Sequence, residues 1–277
     1  MDSKIKIVIT DFDGTLANDE SKVHNADIRA LEELGKHNII RVIATGRNLY
    51  STQKGLGENF PVDYVIISCG AAIVDWRTQE IVYKKNLNSE LIKKIKIIFD
   101  SHRVNYTIQK PAPDNHHFYY KIFSQDNWDF MHRLDTYKNF IQPVSDDLEI
   151  EEATEFLTVL NFDELAIFEN IKNELDFVNV IRTTSPHDHQ SIWMEVFAPG
   201  VSKGSAAEWL CNYLNIPREQ SLSIGNDYND IDLLEWTQHS YVVGNAHGNL
   251  TDRFAVTNSN NENGFLTAVN NHFDLET

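Results

Sequence analysis

Three features of the 277-residue sequence predict an α/β fold, a doubly wound parallel sheet carrying an inserted α+β domain. Short β-branched apolar runs alternate with helix-length amphipathic segments from Ile5 to Ser68, and the alternation resumes after Pro199. Each run ends in a small polar loop, as strands do at the ligand-binding rim of an open sheet. Between these parts, from about Ile81 to Ser185, strand pairs follow one another without intervening helices, the grammar of an antiparallel sheet. The boundaries so predicted are 1–82 and 186–277 for the core and 83–185 for the insertion.

In chain order, Ile5–Thr10 is dominated by β-branched apolar residues and predicts a buried parallel strand. The loop behind it presents Asp11 and Asp13, then Gly14 and Thr15. Ile28, Leu31 and Leu34 give helical spacing over Asn25–Asn38, and Ile39–Ala44 is a second strand that stops at Thr45-Gly46-Arg47. A helix over Leu49–Leu56 and a strand over Tyr64–Ser68 follow, the latter running into Cys69-Gly70-Ala71. Within the insertion, helices are predicted at Ser89–Ser101, Asn127–Tyr137 and Asp163–Leu175. Strands are predicted there at Val104–Lys110, Phe118–Phe123, Glu155–Phe162, Val178–Thr183 and Ile192–Phe197, with Pro111–His117 as a loop. The last third returns to the first pattern: helix Lys203–Leu214, strand Ser221–Ile224, the loop Gly225–Asp230, helix Ile231–Trp236 and strand Ser240–Val243.

Composition narrows the function. Acidic side chains number 41 against 24 basic ones, a formal charge of −17, so a nucleic-acid partner is not expected and a bound cation is easier to accommodate. No apolar run approaches membrane-spanning length, and no membrane partner is expected. Two cysteines, Cys69 and Cys211, form no disulfide framework or zinc spacing, and the first strand starts within a few residues of Met1. A cytoplasmic location is therefore expected.

Asp11 and Asp13 stand two residues apart at a strand end, where they can share a hard cation or divide into a nucleophile and a proton-transfer group. Thr45 adds a hydroxyl beside a glycine, Lys203 an ammonium, and Asn226 to Asp230 further oxygens. Together these are the parts of phosphoryl transfer, in which catalysis is positioning plus neutralisation of negative charge.

Asp11-Phe12-Asp13-Gly14-Thr15-Leu16, Ile43-Ala44-Thr45-Gly46-Arg47, Val201-Ser202-Lys203-Gly204 and Gly225-Asn226-Asp227-Tyr228-Asn229-Asp230 resemble the four ordered motifs of the haloacid dehalogenase superfamily. The insertion between the second and third motifs resembles the Cof-type sugar-phosphatase branch with its class IIB α/β cap. That resemblance implies a Mg²⁺-dependent phosphatase of a small phosphorylated metabolite, most plausibly a sugar phosphate. It casts Asp11 as the nucleophile that becomes an aspartyl phosphate and Asp13 as the general acid/base. Thr45, Gly46, Lys203 and Asn229 would bind the phosphate, and Asp11, Asp13 and Asn226 would hold Mg²⁺, with Arg47, Asp227 and Asp230 in support. A phosphometabolite-binding protein without activity and a phosphomutase are the alternatives.

Two departures stand out. The family's metal-binding aspartate is Asn226 here, which removes one negative charge from the site; Asp227 by a small loop shift, or Asp230 through water, could compensate. The family's Asn-Gly-Ala is Cys69-Gly70-Ala71, with Cys69 expected to be a small buried hydrophobe. Of the paired histidines His116, His117, His187 and His189, no neighbouring carboxylate spacing is expected to complete a metal shell, and substrate contact is the expected role of the first two. Phe118, Tyr119, Tyr120 and Phe123 are expected to pack in the core of the insertion.

Overall fold

The computed structural model of the chain describes residues 5–57, 59–145, 147–185, 187–188, 190–273 and 275. It resolves into two compact units, one of residues 1–47, 52–83 and 202–277, the other of 48–51 and 84–201.

The first unit is built on strands β1 (Ile7–Thr10), β2 (Ile40–Ala44), β3 (Tyr64–Ile67), β4 (Ala72–Asp75) and β5 (Glu80–Lys84), joined by strands Ser221–Gly225, His239–Val242 and Ala255–Val256. Their order across the eight-stranded sheet is Ala255–Val256, His239–Val242, Ser221–Gly225, β1, β2, β3, β4, β5. Every pairing from Ala255–Val256 through to β3 is parallel, as the alternating sequence predicts. Burial on both faces explains why these strands are continuous apolar runs: all four residues of β1 and of β3 are buried. On one face, Ile7, Ile9, Val42, Ala44 and Ile66 pack against Ala206, Ala207, Leu210 and Cys211 of the helix Lys203–Tyr213. Small residues on that helix let it lie close to the sheet, and its Ser202 N-cap closes a reciprocal bond pair with Ser205.

Sequence periodicity missed β4 and β5. The chain reverses within Ser68, Cys69 and Gly70, all at positive φ (46°, 50° and 106°), and β4 returns antiparallel to β3. A Cβ on Gly70 would stand 2.1 Å from the Ser202 carbonyl oxygen, so only glycine lets this loop lie against the start of the Lys203 helix.

The second unit holds a six-stranded sheet ordered Asn179–Thr184, Ile192–Phe197, Glu155–Leu160, Tyr106–Gln109, Phe118–Lys121, Ile141–Pro143. Neighbours are antiparallel except the last pair. Glu195 sits opposite Leu157 on one side and Ile181 on the other, so Ile192–Phe197 is an interior strand of this sheet. This corrects the predicted boundary at 185, which cuts the hairpin that Asn179–Thr184 and Ile192–Phe197 form; the chain leaves the unit only after Val201. Phe99, from the helix Ser89–His102, meets Tyr106 and Phe156 with ring centroids 5.6 and 5.8 Å away. Phe118 and Tyr120 pack with Phe130, Leu157 and Trp193, whereas Tyr119 lies beside Lys110, so the aromatic run alternates between faces as a strand must.

Gly70→Ala is expected to lower stability by about 2 kcal/mol or more, from a positive φ plus a backbone clash. A urea melt indistinguishable from the parent would show that the loop relaxes freely.

Candidate active site

Two of the polar loops that follow strands of the first unit close on one buried ammonium. Lys203 is fully buried, and its Nζ donates to Asp11 Oδ1 at 2.7 Å and Asp230 Oδ1 at 2.6 Å, with Asn229 Oδ1 at 3.4 Å. Asp11 leaves β1, Lys203 opens its helix, and Asn229 and Asp230 belong to the loop after Ser221–Gly225. Asp230, expected only as a support, is the hub of that loop: its Oδ2 accepts the backbone N–H groups of Asn226 (2.9 Å) and Asp227 (3.1 Å). Gly225 is required there because a Cβ would stand 2.6 Å from the Asp230 Cβ.

The charges set the protonation states. Burial works to lower the Lys203 pKa, but Asp11 and Asp230 outweigh it and hold the ammonium well above its ordinary value. Burial pushes Asp11 up to about 7 despite the opposing Lys203. Asp11 Oδ2 is buried and makes no hydrogen bond. Two buried carboxylates thus share one ammonium, which leaves the pocket one positive charge short.

Asp13 lies outside that triad. Arg47 grips its carboxylate with both arms, Nε to Oδ2 at 2.7 Å and Nη2 to Oδ1 at 2.5 Å, and the guanidinium stacks over Phe12 at 4.8 Å. Arg47, expected as a support, therefore anchors a carboxylate. Thr45 is buried beside it, with its hydroxyl accepting the Arg47 backbone N–H at 3.1 Å, and Gly46 is half-buried in the bend between them. The β3 loop locks onto the same segment through Cys69 N to Thr45 O (3.0 Å) and Ser68 N to Arg47 O (2.9 Å). Cys69 is fully buried, as expected, and its Sγ also accepts the Asn229 side-chain amide at 3.6 Å.

The Asn226 amide reaches over Gly14: its Nδ2 would stand 2.5 Å from a Cβ at that glycine, whose φ is +72°. Asn226 and the Asp11–Gly14 loop therefore lie side by side. Asp227 is turned elsewhere, its Oδ1 accepting Tyr228 N at 2.7 Å and standing 3.2 Å from His247 Nε2. Sequence reasoning missed two supporting residues. Asp232 Oδ2 accepts Gly204 N at 3.0 Å and pins the start of the Lys203 helix; Asn245 Nδ2 donates to Gly14 O at 2.8 Å. Asn245 belongs to the polar segment after the strand His239–Val242, the signal that could have pointed to it, whereas Asp232 sits in the first turn of the helix Ile231–Trp236.

Of the four histidines, His187 stands 4.0 Å from Asp129 and beside His132 in the second unit. His116 and His117 lie together in the second unit with ring centroids 4.3 Å apart, and His189 lies outside the described residues.

A buried acid held ionisable beside an ammonium, at the carboxyl ends of parallel strands, defines a hydrolase-type α/β site. The profile of the haloacid dehalogenase-like hydrolases matches residues 8–269, and the chain belongs to that family. It is thereby a phosphoric monoester hydrolase by class. It is 24% identical to the 5-amino-6-(5-phospho-D-ribitylamino)uracil phosphatase YcsE of Bacillus subtilis, over 97% of this chain and 96% of that one. Its fold resembles that of a phosphatase of the superfamily from Bacteroides thetaiotaomicron (TM-score 0.80, 20% identity, 97% and 95% of the two chains). A subclass IIB sugar phosphatase is also similar in structure (TM-score 0.77, 21% identity, 96% and 98%). Among the described residues, no helix is long and apolar enough to cross a membrane.

Replacing Lys203 by Met leaves two buried carboxylates uncompensated and is expected to cost about 3–5 kcal/mol at pH 8. Asp11, already raised to about 7 by burial, would titrate higher still without its ammonium. An acid whose folded pKa is raised loses stability as pH rises, so the deficit should shrink at pH 5, where Asp11 is protonated. Denaturant melts at the two pH values check this.

Proposed function

We propose that the chain hydrolyses a small phosphate monoester by way of a phosphoryl group carried on Asp11, with Mg²⁺ as its cation and sugar phosphates as its substrate class. The observation that carries the reading is the Asp11 carboxylate: one oxygen is tied to Lys203 while the other, Oδ2, is buried without a partner. Such an atom is oriented, desolvated and available to an electrophile.

The residues divide the work. Lys203 keeps Asp11 ionised beside an incoming anion, and with Thr45, Gly46 and Asn229 it receives the phosphate oxygens. Attack by Asp11 forms the carboxyl–phosphorus bond as the ester oxygen departs with a proton from Asp13. Water then gives a proton to Asp13 and attacks phosphorus, which breaks the acyl phosphate, frees phosphate and restores the Asp11 carboxylate and the Asp13 acid. Arg47, which holds both oxygens of Asp13 in the structure, would release one of them for the proton.

The donor set fits a hard divalent cation, because the unpartnered Asp11 oxygen and the missing positive charge call for one. Asp11 and the Asn226 carbonyl oxygen would hold Mg²⁺. Asp13 would join them with its side chain only on releasing Arg47. When bound, the cation offsets repulsion between Asp11 and the phosphoryl group and holds the two in line. Asn226 supplies an oxygen without charge, which favours weak binding.

The substrate class draws on the names of the similar proteins, a sugar phosphatase and a phosphatase of a 5-phosphoribityl compound, which share a phosphate ester on a polyol chain. A cytoplasmic site of action accords with the two buried free thiols.

Phosphate release from a panel of sugar phosphates and nucleotides, with and without Mg²⁺, tests the reading. Asp11→Asn should abolish turnover by at least about a thousandfold, and Asp13→Asn should slow it by about 10²–10⁴. Silence across the panel with ligand binding intact would favour the sensing protein that Asn226 suggests. Phosphate transferred to added sugar instead of water would favour the mutase.

Because burial raises Asp11 to about 7, cation binding must displace a proton below that pH. Mg²⁺ affinity measured by calorimetry should therefore fall by up to about tenfold per pH unit below neutrality. A flat profile would remove Asp11 from the ligand set.

A further inference from the structure

The hairpin loop between strands Tyr106–Gln109 and Phe118–Lys121, in the second unit, brings three metal-ligating side chains together. One carboxylate oxygen of Asp114 and one ring nitrogen each of His116 and His117 lie within 4.8 Å of one another. Sequence spacing gives no carboxylate for these histidines; the loop folds back so that Asp114, two positions before His116, faces the same point.

The loop is held in that shape by its own backbone. His117 N donates to Asp114 O at 2.9 Å, Asp114 N to Pro111 O at 3.0 Å, and Lys110 N to His117 O at 2.9 Å. The buried side chain of Asn115 accepts Leu49 N at 3.4 Å. Packing fixes the rings as well. His116 stacks on Tyr50 (4.7 Å, 16°), and Phe140 sets its edge against both His116 (5.0 Å) and His117 (5.1 Å). His116 Nδ1 is buried and has no hydrogen-bond partner.

We propose that Asp114, His116 and His117 form a second metal site, distinct from the Asp11 centre, that takes a first-row transition ion of the Zn²⁺ type. Two imidazoles and one carboxylate suit such an ion, whereas Mg²⁺ demands oxygen ligands. Ligands bonded at about 2.0–2.1 Å stand roughly 3.3–4.2 Å apart around the ion, so modest side-chain rotation closes the set. Three protein ligands leave a coordination position open to water or an exogenous donor.

The test is calorimetric titration of the full chain, stripped by chelator, with ZnCl₂ in an Asp11→Asn background that disables the other site. One Zn²⁺ per chain is expected, with affinity reduced at least about tenfold by Asp114→Asn and by His117→Gln. Thermal melts supply a second readout: Zn²⁺ should raise the unfolding midpoint of the background protein and leave both variants unmoved, while the metal-free midpoints of all three agree. Excess Mg²⁺ should not compete. Absence of stoichiometric binding, competition by Mg²⁺, or binding undiminished in both variants would overturn the site.

Discussion

The structure of the first unit depends on a buried lysine that could not be there alone. An ammonium with no access to water is tolerated only because Asp11 and Asp230 close on it at 2.7 and 2.6 Å. Those two acids come from opposite ends of the sequence, so the ion triad works as a registration device. It fixes the end of β1, the start of the helix Lys203–Tyr213 and the loop after Ser221–Gly225 relative to one another. Neighbouring contacts then extend this frame: Asp230 gathers the amides of Asn226 and Asp227, Asp232 holds Gly204, and the Gly70 loop lies on Ser202.

The same triad sets the chemical character of the site. Burial raises Asp11 to about 7, with Lys203 opposing the rise and Asp230 adding to it. Asp13 is governed differently: half-exposed and gripped by Arg47, it is oriented by a bidentate ion pair and not by burial. Two carboxylates two residues apart thus meet two environments.

Much of the fold was legible because strand burial and helix periodicity are local signals. The helices Leu49–Leu56 and Ile231–Trp236 and the strand Ile192–Phe197 fall where the apolar spacing predicts them. β4 and β5 escaped because their existence follows from a reversal at Ser68–Gly70, where two non-glycine residues adopt positive φ. The domain boundary failed for a related reason: strand pairing across Ile192–Phe197 is non-local, and nothing in the residues near 185 records it. At the site, motif residues announced the participants but not their partners. Arg47 was expected only as a support, and neither its fork onto Asp13 nor the three bonds that make Asp230 central are encoded in spacing.

The position of β1 carries a consequence for biosynthesis. It is an interior strand whose two neighbours are β2, some thirty residues later, and Ser221–Gly225, more than two hundred residues later. On the ribosome, therefore, the nascent N-terminal strand must wait with one edge unpaired while the whole second unit is made. That unit can complete its own sheet in the interval, since all six of its strands emerge before Ser202. The Asp11 carboxylate acquires its ammonium, and the rim its final geometry, only when the last third of the chain has been delivered.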